Sequence, residues 1–273
     1  MNQQPTEPSV ELEHISIERD GRIAIVRFDR GDGINALSHR LMRNIGASAR
    51  SLDEDTELSA IVLTGRPEVF SMGFDLKDPE SEEMREAGLA TWRRAAQAGP
   101  RMCRAWEELE PVTIAAVEGW CIGGGVVLAT ACDHRVLGQK GTMYVPEIER
   151  GMNMSWGSLP RFAALMGPSR TKRFVIMAQK LRGEMARDWG LVDEVTADGQ
   201  TLAKALEMAQ VIAAMPPVQV RMCKQGINAA TAALDRAVSV MDLDQGLLTR
   251  HSADFAEGVN SFLEKRPPKF TGG

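Results

Sequence analysis

The 273-residue chain is poor in the features that mark several function classes. Its four cysteines, Cys103, Cys121, Cys132 and Cys223, form no CxxC pair. That pattern fits buried free thiols in a reducing compartment, not a disulfide framework or a thiolate metal site. The four histidines include no HExxH and no close pair, so no metal site is expected. His134, directly after Asp133, reads as a packed or capping residue. No GxxxxGK[ST], GxGxxG or GxSxG occurs, which removes the P-loop, dinucleotide and serine-hydrolase readings. The nearest approach to the last, Asn153 to Gly157, lacks the first glycine. There is no excess of positive charge: a net charge of −5 gives no electrostatic case for nucleic acid or an anionic membrane. The longest apolar stretch, near Gly119 to Cys132, is too short and too glycine-rich to span a bilayer. The first residues, MNQQPTEPS, lack the apolar core of a signal peptide, so a cytoplasmic location is expected.

What remains is an ordinary globular composition, 44% hydrophobic and 25% charged, without internal repeats. The length suits one large domain or a domain with a helical appendage. Ile15 and Ile17 alternate before Asp20-Gly21, and Ile23, Ile25 and Val26 follow, which predicts a β-hairpin. Ser38 reads as an N-cap, with Leu41, Met42, Ile45 and Ala49 on one helical face. Ala60 to Thr64 is almost wholly apolar, as expected of a strand covered on both sides. Val112 to Val117 predicts another strand, and Val126 to Ala131 a helix. This alternation predicts an α/β fold with ligand-binding loops at strand ends.

The segment from Asp78 to Arg101 is charged and carries Gly88 and Gly99-Pro100. It reads as a mobile helical flap over substrate or as a plain surface excursion. Beyond residue 200 the pattern turns wholly helical. Leu202, Leu206, Ala209 and Ile212 form one stripe; Leu234, Val238, Met241 and Leu248 form another, with Pro216-Pro217 between them. We therefore expect a core over residues 1–200 and a helical oligomerisation region over 201–273.

Gly123-Gly124-Gly125 lies between the predicted strand and helix. Glycines let a ligand approach the backbone, and a helix start offers free N–H groups to developing negative charge. A carboxylate such as Glu147, in Pro146-Glu147, would then move a proton while those amides hold an oxyanion. The arrangement points to enolate chemistry, although a triglycine alone is a weak signal and reads first as a structural turn.

Five segments stand in a familiar order: IVLTGRPEVFSMGFDLK, AAVEGWCIGGGVVLATACDHRV, VPEIERG, GEMARDWGLVDEV and FLEKRPPKF. With Asn35-Ala36-Leu37, they resemble the enoyl-CoA hydratase/isomerase (crotonase) superfamily from about Glu13 to Phe270. The resemblance implies a spiral of β-β-α units followed by a helical trimerisation region. It implies an acyl-CoA substrate, no cofactor beyond the coenzyme A of that thioester, and a homotrimer or dimer of trimers. It also implies an oxyanion hole from the backbone N–H groups of Phe74 and Gly124. Most relatives carry a small residue where Phe74 stands, so its ring is expected to crowd the thioester pocket. Coenzyme A would lie against Ala36 and the loop holding Ser71 and Gly73, with Lys265 near the phosphates and Phe262 alongside.

The carboxylates depart from the hydratase pattern of the resembled family. Its first glutamate position is Val127, its second is Glu147, and the aspartate position of its dienoyl isomerases is Ser155. One carboxylate opposite an oxyanion hole suffices to carry a proton from C2 to C4 of a 3-enoyl thioester, as in the family's single-glutamate isomerases. Apolar neighbours (Val127, Met152, Met154 and Trp156) should raise the pKa of Glu147. Glu149 is a spare carboxylate: in an extended segment it would face the same side as Glu147, while Arg150 offers it a surface ion pair. Tyr144 is expected to pack nearby, with its hydroxyl available to the pocket. Three readings stand: an isomerase; a hydratase, lyase or hydrolase using Glu147 with water; and an acyl-CoA binding protein without chemistry. The expected pocket walls are the Asp78 to Arg101 segment and Met152 to Trp156.

Overall fold

A computed structural model describes residues 12–273, and the polar N-terminal stretch read above lies outside them. The expected hairpin is present as β1 (Ile15–Asp20) and β2 (Ile23–Phe28), antiparallel, with Asp20 facing Ile23 across the turn. Helix α1 (His39–Asp53) starts where Ser38 accepts the Leu41 N–H, and it buries Leu41, Met42, Ile45 and Ala49. Then come β3 (Ala60–Thr64), β4 (Val69–Ser71), α2 (Pro79–Glu86), α3 (Leu89–Ala96), α4 (Ala98–Glu107), β5 (Val112–Val117), β6 (Trp120–Ile122), α5 (Gly124–Ala129), β7 (His134–Gly138) and β8 (Thr142–Tyr144). A 3-10 turn over Ile148–Arg150 leads to α6 (Ser158–Ile176), β9 (Leu181–Arg182), α7 (Gly183–Asp188) and β10 (Glu194–Thr196). The chain finishes with α8 (Thr201–Ala213), α9 (Pro217–Thr231), α10 (Asp235–Ser239), α11 (Asp242–Thr249) and α12 (Ala253–Leu263).

From β3 to β8 successive strands alternate between two sheets, so the chain climbs as a spiral. One sheet runs β1-β2-β3-β5-β7-β10, parallel except for the hairpin; the other runs β4-β6-β8-β9. The apolar strands are covered on both faces, as their composition requires. Ile61, Leu63, Ala115 and Val117 enter the main core with α1 and α4, whereas Ala60, Val62, Ile114 and Ala116 pack against Ala205 and Ala209 of α8.

Three expectations change here. The Asp78 to Arg101 segment is not one surface flap. It forms α2, α3 and the start of α4, whose Met102, Cys103 and Trp106 are fully enclosed. Gly99-Pro100 forms the first turn of α4, where the missing proline N–H costs nothing; α2 alone buries none of its residues. The stripe of α8 is covered within its own chain by the six-stranded sheet. By contrast Leu234, Val238, Met241 and Leu248 are each more than half exposed. Cys103, Cys121 and Cys132 are buried as expected, but Cys223 is exposed on α9. No helix among the described residues is long and apolar enough to cross a membrane.

Candidate active site

The glycine hinge follows β6 directly. Gly123 has φ 51° and ψ −118°, a conformation open to glycine alone. A Cβ there would stand 2.6 Å from Glu147 Oε1, so the hinge and the carboxylate are in contact only because the side chain is missing. Gly123 donates its N–H to the Tyr144 carbonyl at 2.8 Å, which ties the hinge to the end of β8. Gly124 is the first residue of α5, so its N–H has no partner within the helix.

The loop after β4 approaches from the other side. The Ser71 hydroxyl donates to the Asn35 carbonyl at 2.9 Å and accepts the Gly73 N–H at 3.1 Å, fixing the turn. A Cβ on Gly73 would stand 2.7 Å from the Ile122 carbonyl oxygen and 3.4 Å from the Gly124 nitrogen. The two loops therefore meet backbone to backbone, and Phe74 and Gly124 border one recess. The Phe74 ring stands edge-on to His39, with centroids 5.4 Å apart, and also lines the pocket.

Glu147 closes the recess. Its Oε2 is buried and has no hydrogen-bond partner. Burial pushes its pKa up from 4.5 to about 7, opposed by its own backbone N–H and by Arg150. The apolar neighbours expected from sequence, Val127, Met152, Met154 and Trp156, all line the same space. Glu149 does not join it. Ile148–Arg150 is a 3-10 turn, not an extended segment, so Glu149 points outward, hydrogen-bonded by the Tyr144 hydroxyl and 3.9 Å from Arg150.

The cavity has a volume of about 350 Å³, within the range of ligand pockets. Of the residues singled out in the sequence, Gly73, Phe74, Gly124, Glu147 and Phe262 line it; Ala36, Ser71 and Lys265 do not. Ala36 is buried beneath the Phe74 loop, its carbonyl accepting from Arg30; Ser71 is fully enclosed; Lys265 is exposed beyond α12. Met152 to Trp156 form a wall as expected, but no residue of the Asp78 to Arg101 segment does.

Sequence reading missed three supports. The Trp156 indole fills the places where Gly99 and Gly124 would carry Cβ atoms, at 2.1 and 2.6 Å, so it bridges α4 and the hinge. No spacing in the sequence links those three residues. Helix α12 holds the Glu147 turn within the same chain: Gly258 abuts the Arg150 backbone, and the Arg150 guanidinium lies 3.9 Å from the Phe262 ring centroid. Finally, α11 supplies Gly246 and Arg250 to the pocket wall. A separate cluster, His39, Asp78 and Glu80, brings three potential metal-ligand atoms together. Asp78 accepts from both the His39 backbone and ring, and Glu80 takes a bidentate pair from Arg43, so these atoms are already engaged in tying α1 to α2.

Comparison with known proteins agrees with this fold. The sequence pattern of the family described as enoyl-CoA hydratase/isomerase matches residues 18–273. The chain is 30% identical to a probable enoyl-CoA hydratase of Mycobacterium bovis over 271 residues, covering 95% of this chain and 98% of the relative. It is 29% identical to a short-chain-enoyl-CoA hydratase of Clostridium acetobutylicum, covering 94% and 97% respectively. In structure it resembles carnitinyl-CoA hydratase of Mycobacterium avium, with TM-score 0.81 and 26% identity over 95% of this chain and 99% of that one.

Proposed function

The chain belongs to the enoyl-CoA hydratase/isomerase family, and from that premise we propose that it forms the enolate of an acyl-CoA thioester with Glu147 as its acid/base group. The supporting observation is the buried, unpartnered Glu147 carboxylate beside the glycine hinge, in a pocket where Val127 stands at the family's other carboxylate position. Ionised Glu147 takes a proton from C2 of a 3-enoyl thioester, and the electron pair moves onto the thioester oxygen. The backbone N–H groups of Phe74 and Gly124 hold that oxygen through the charged stage. Protonated Glu147 then returns its proton to C4, the electrons collapse from the oxygen, and the double bond rests in conjugation. A pKa near 7 suits a group that must be both base and acid in one turnover.

The names of the relatives, which are hydratases, favour a second reading, hydration through Glu147 and water. Val127 carries no group to share that work, so isomerisation leads. Incubation with 3-enoyl-CoA and 2-enoyl-CoA in parallel, with products identified by mass and chromatography, separates the two. Isomerisation converts the first to the second without mass change; hydration adds one water. Unchanged, tightly bound esters would mark a binding protein. We also propose a homotrimer or dimer of trimers in the cytoplasm, supported by the exposed apolar faces of α10 and α11. A monomer by light scattering at micromolar concentration would refute the assembly.

A further inference from the structure

Arg250 has no role in the scheme above, yet it lines the same pocket. Gly246 and Arg250 are four residues apart at the end of α11, so both project from one side of the helix. Gly246 packs close to Asn153 and Ser155: a Cβ there would be in ordinary contact with both, 3.4 Å from Asn153 Oδ1 and 3.7 Å from Ser155 Oγ. The helix is anchored on both sides. Arg93 of α3 pairs with Asp244 at 2.6 Å, Trp92 stands edge-on to His251, and the Gly157 N–H donates to Asp242 at 2.7 Å. The helix that leads into Arg250 is thus held in place by its surroundings.

Its guanidinium lies 5.2 Å from the centroid of the Phe74 ring, and among the described residues it has no carboxylate partner. Arg85 is the charged group that faces it, and the two repel. Burial and that repulsion both push its pKa down, although arginine remains charged at any physiological pH. An arginine in a largely apolar pocket, stacked on an aromatic ring and without an anion, is a site for a planar oxyanion. The remaining pocket cations are differently placed: Arg150 lies on Phe262 beside Glu149, and Lys180 lies 4.9 Å from the Tyr144 ring.

We propose that Arg250 binds a carboxylate on the acyl chain, so that the preferred substrates are CoA thioesters of dicarboxylic acids. This rests on the reading of the pocket as an acyl-CoA site. Arg250 adjoins Phe74, whose amide is assigned to the thioester oxygen, and the whole pantetheine arm separates that oxygen from the CoA phosphates. An anion reaching Arg250 is therefore one carried a few carbons beyond the thioester.

The test is calorimetric binding of succinyl- and glutaryl-CoA, of pentanoyl- and hexanoyl-CoA as matched uncharged chains, and of free CoA. Arg250→Met should weaken the better dicarboxylic ester by about ten-fold or more, as expected for loss of a charge-assisted bond. It should leave the uncharged esters and free CoA within about two-fold. Equal weakening of all five ligands would place the contact at the CoA phosphates, and no weakening of either dicarboxylic ester would make Arg250 structural; each result overturns the inference. Should Arg250→Met fold poorly, Arg250→Lys must show a smaller loss confined to the dicarboxylic esters, and a uniform loss again refutes it. Arg250-dependent binding without C2 exchange in any ester would remove the catalytic reading and leave this one standing. Failure of every CoA ester to bind would remove both.

Discussion

Glu147 and Glu149 are the same residue type, two positions apart, yet their surroundings have almost nothing in common. Glu147 ends the extended stretch after β8 and turns inward, with one buried oxygen lacking any partner. Glu149 lies in the 3-10 turn and faces water, beside the Tyr144 hydroxyl and Arg150. Each 3-10 residue advances roughly 120° around the axis, so two residues take the side chain to a different face, where an extended segment would have brought it back. The backbone change at Ile148 thus separates an enclosed carboxylate from a solvated one. The carboxylate that is worse solvated is the one to which the proposed chemistry falls.

The largest effect should come from removing the inward carboxylate. Glu147→Gln should slow C2 proton exchange by about 10² to 10⁴, the usual range for a lost general base, while CoA-ester binding stays nearly intact. Glu149→Gln should change exchange by about two-fold or less, as expected for a solvated side chain. If the two variants lose similar activity, the contrast between the carboxylates is lost.

The same contrast appears in stability. Glu147 has its pKa raised from 4.5 to about 7 on folding, so between those values the folded state holds a proton that the unfolded state has released. Stability from this group therefore falls as pH rises through that window, by roughly 3 kcal/mol, and stays low above it. Glu147→Gln should stabilise the protein above pH 7 by up to about that amount and have little effect near pH 4. Denaturation of both proteins at the two pH values checks the sign.

Gly123→Ala tests the hinge that lets Glu147 stand so close. Its Cβ would meet Glu147 Oε1 and would also adopt a conformation disfavoured outside glycine. A loss of about 1 to 3 kcal/mol by chemical denaturation is expected, and an unchanged midpoint would show that the hinge relaxes freely. The smallest effect is a gain. Val127→Glu restores a second carboxylate to the pocket wall and should introduce only trace hydration of 2-enoyl-CoA, detected by mass, because the Phe74 ring stands in the same pocket.

Most of the fold was legible in residue patterns. The hairpin, the Ser38 cap and the doubly covered strand Ala60–Thr64 follow from alternation and capping chemistry, which act over a few residues. The site was legible only where family segments mark it: Glu147, Gly124 and Phe74 do meet at one recess. Trp156 against Gly99 and Gly124, the docking of α12 on the Glu147 turn, and Arg250 in the wall each join residues far apart in sequence. No periodicity encodes such contacts. The charged segment from Asp78 misled because α2 indeed buries none of its residues, while α4, beyond α3, is core.

The account rests on a dry pocket placing the Glu147 pKa near neutrality. Its most direct test is the pH dependence of deuterium exchange at C2 of a bound, saturated acyl-CoA, which reports enolate formation whatever the final product. The base must be ionised to take the proton, so the rate should rise with pH and level off with an inflection near 7. An inflection near 4.5, or a rate that is flat from pH 5 to 8, would show an ordinary solvated carboxylate or a different base and would contradict the account.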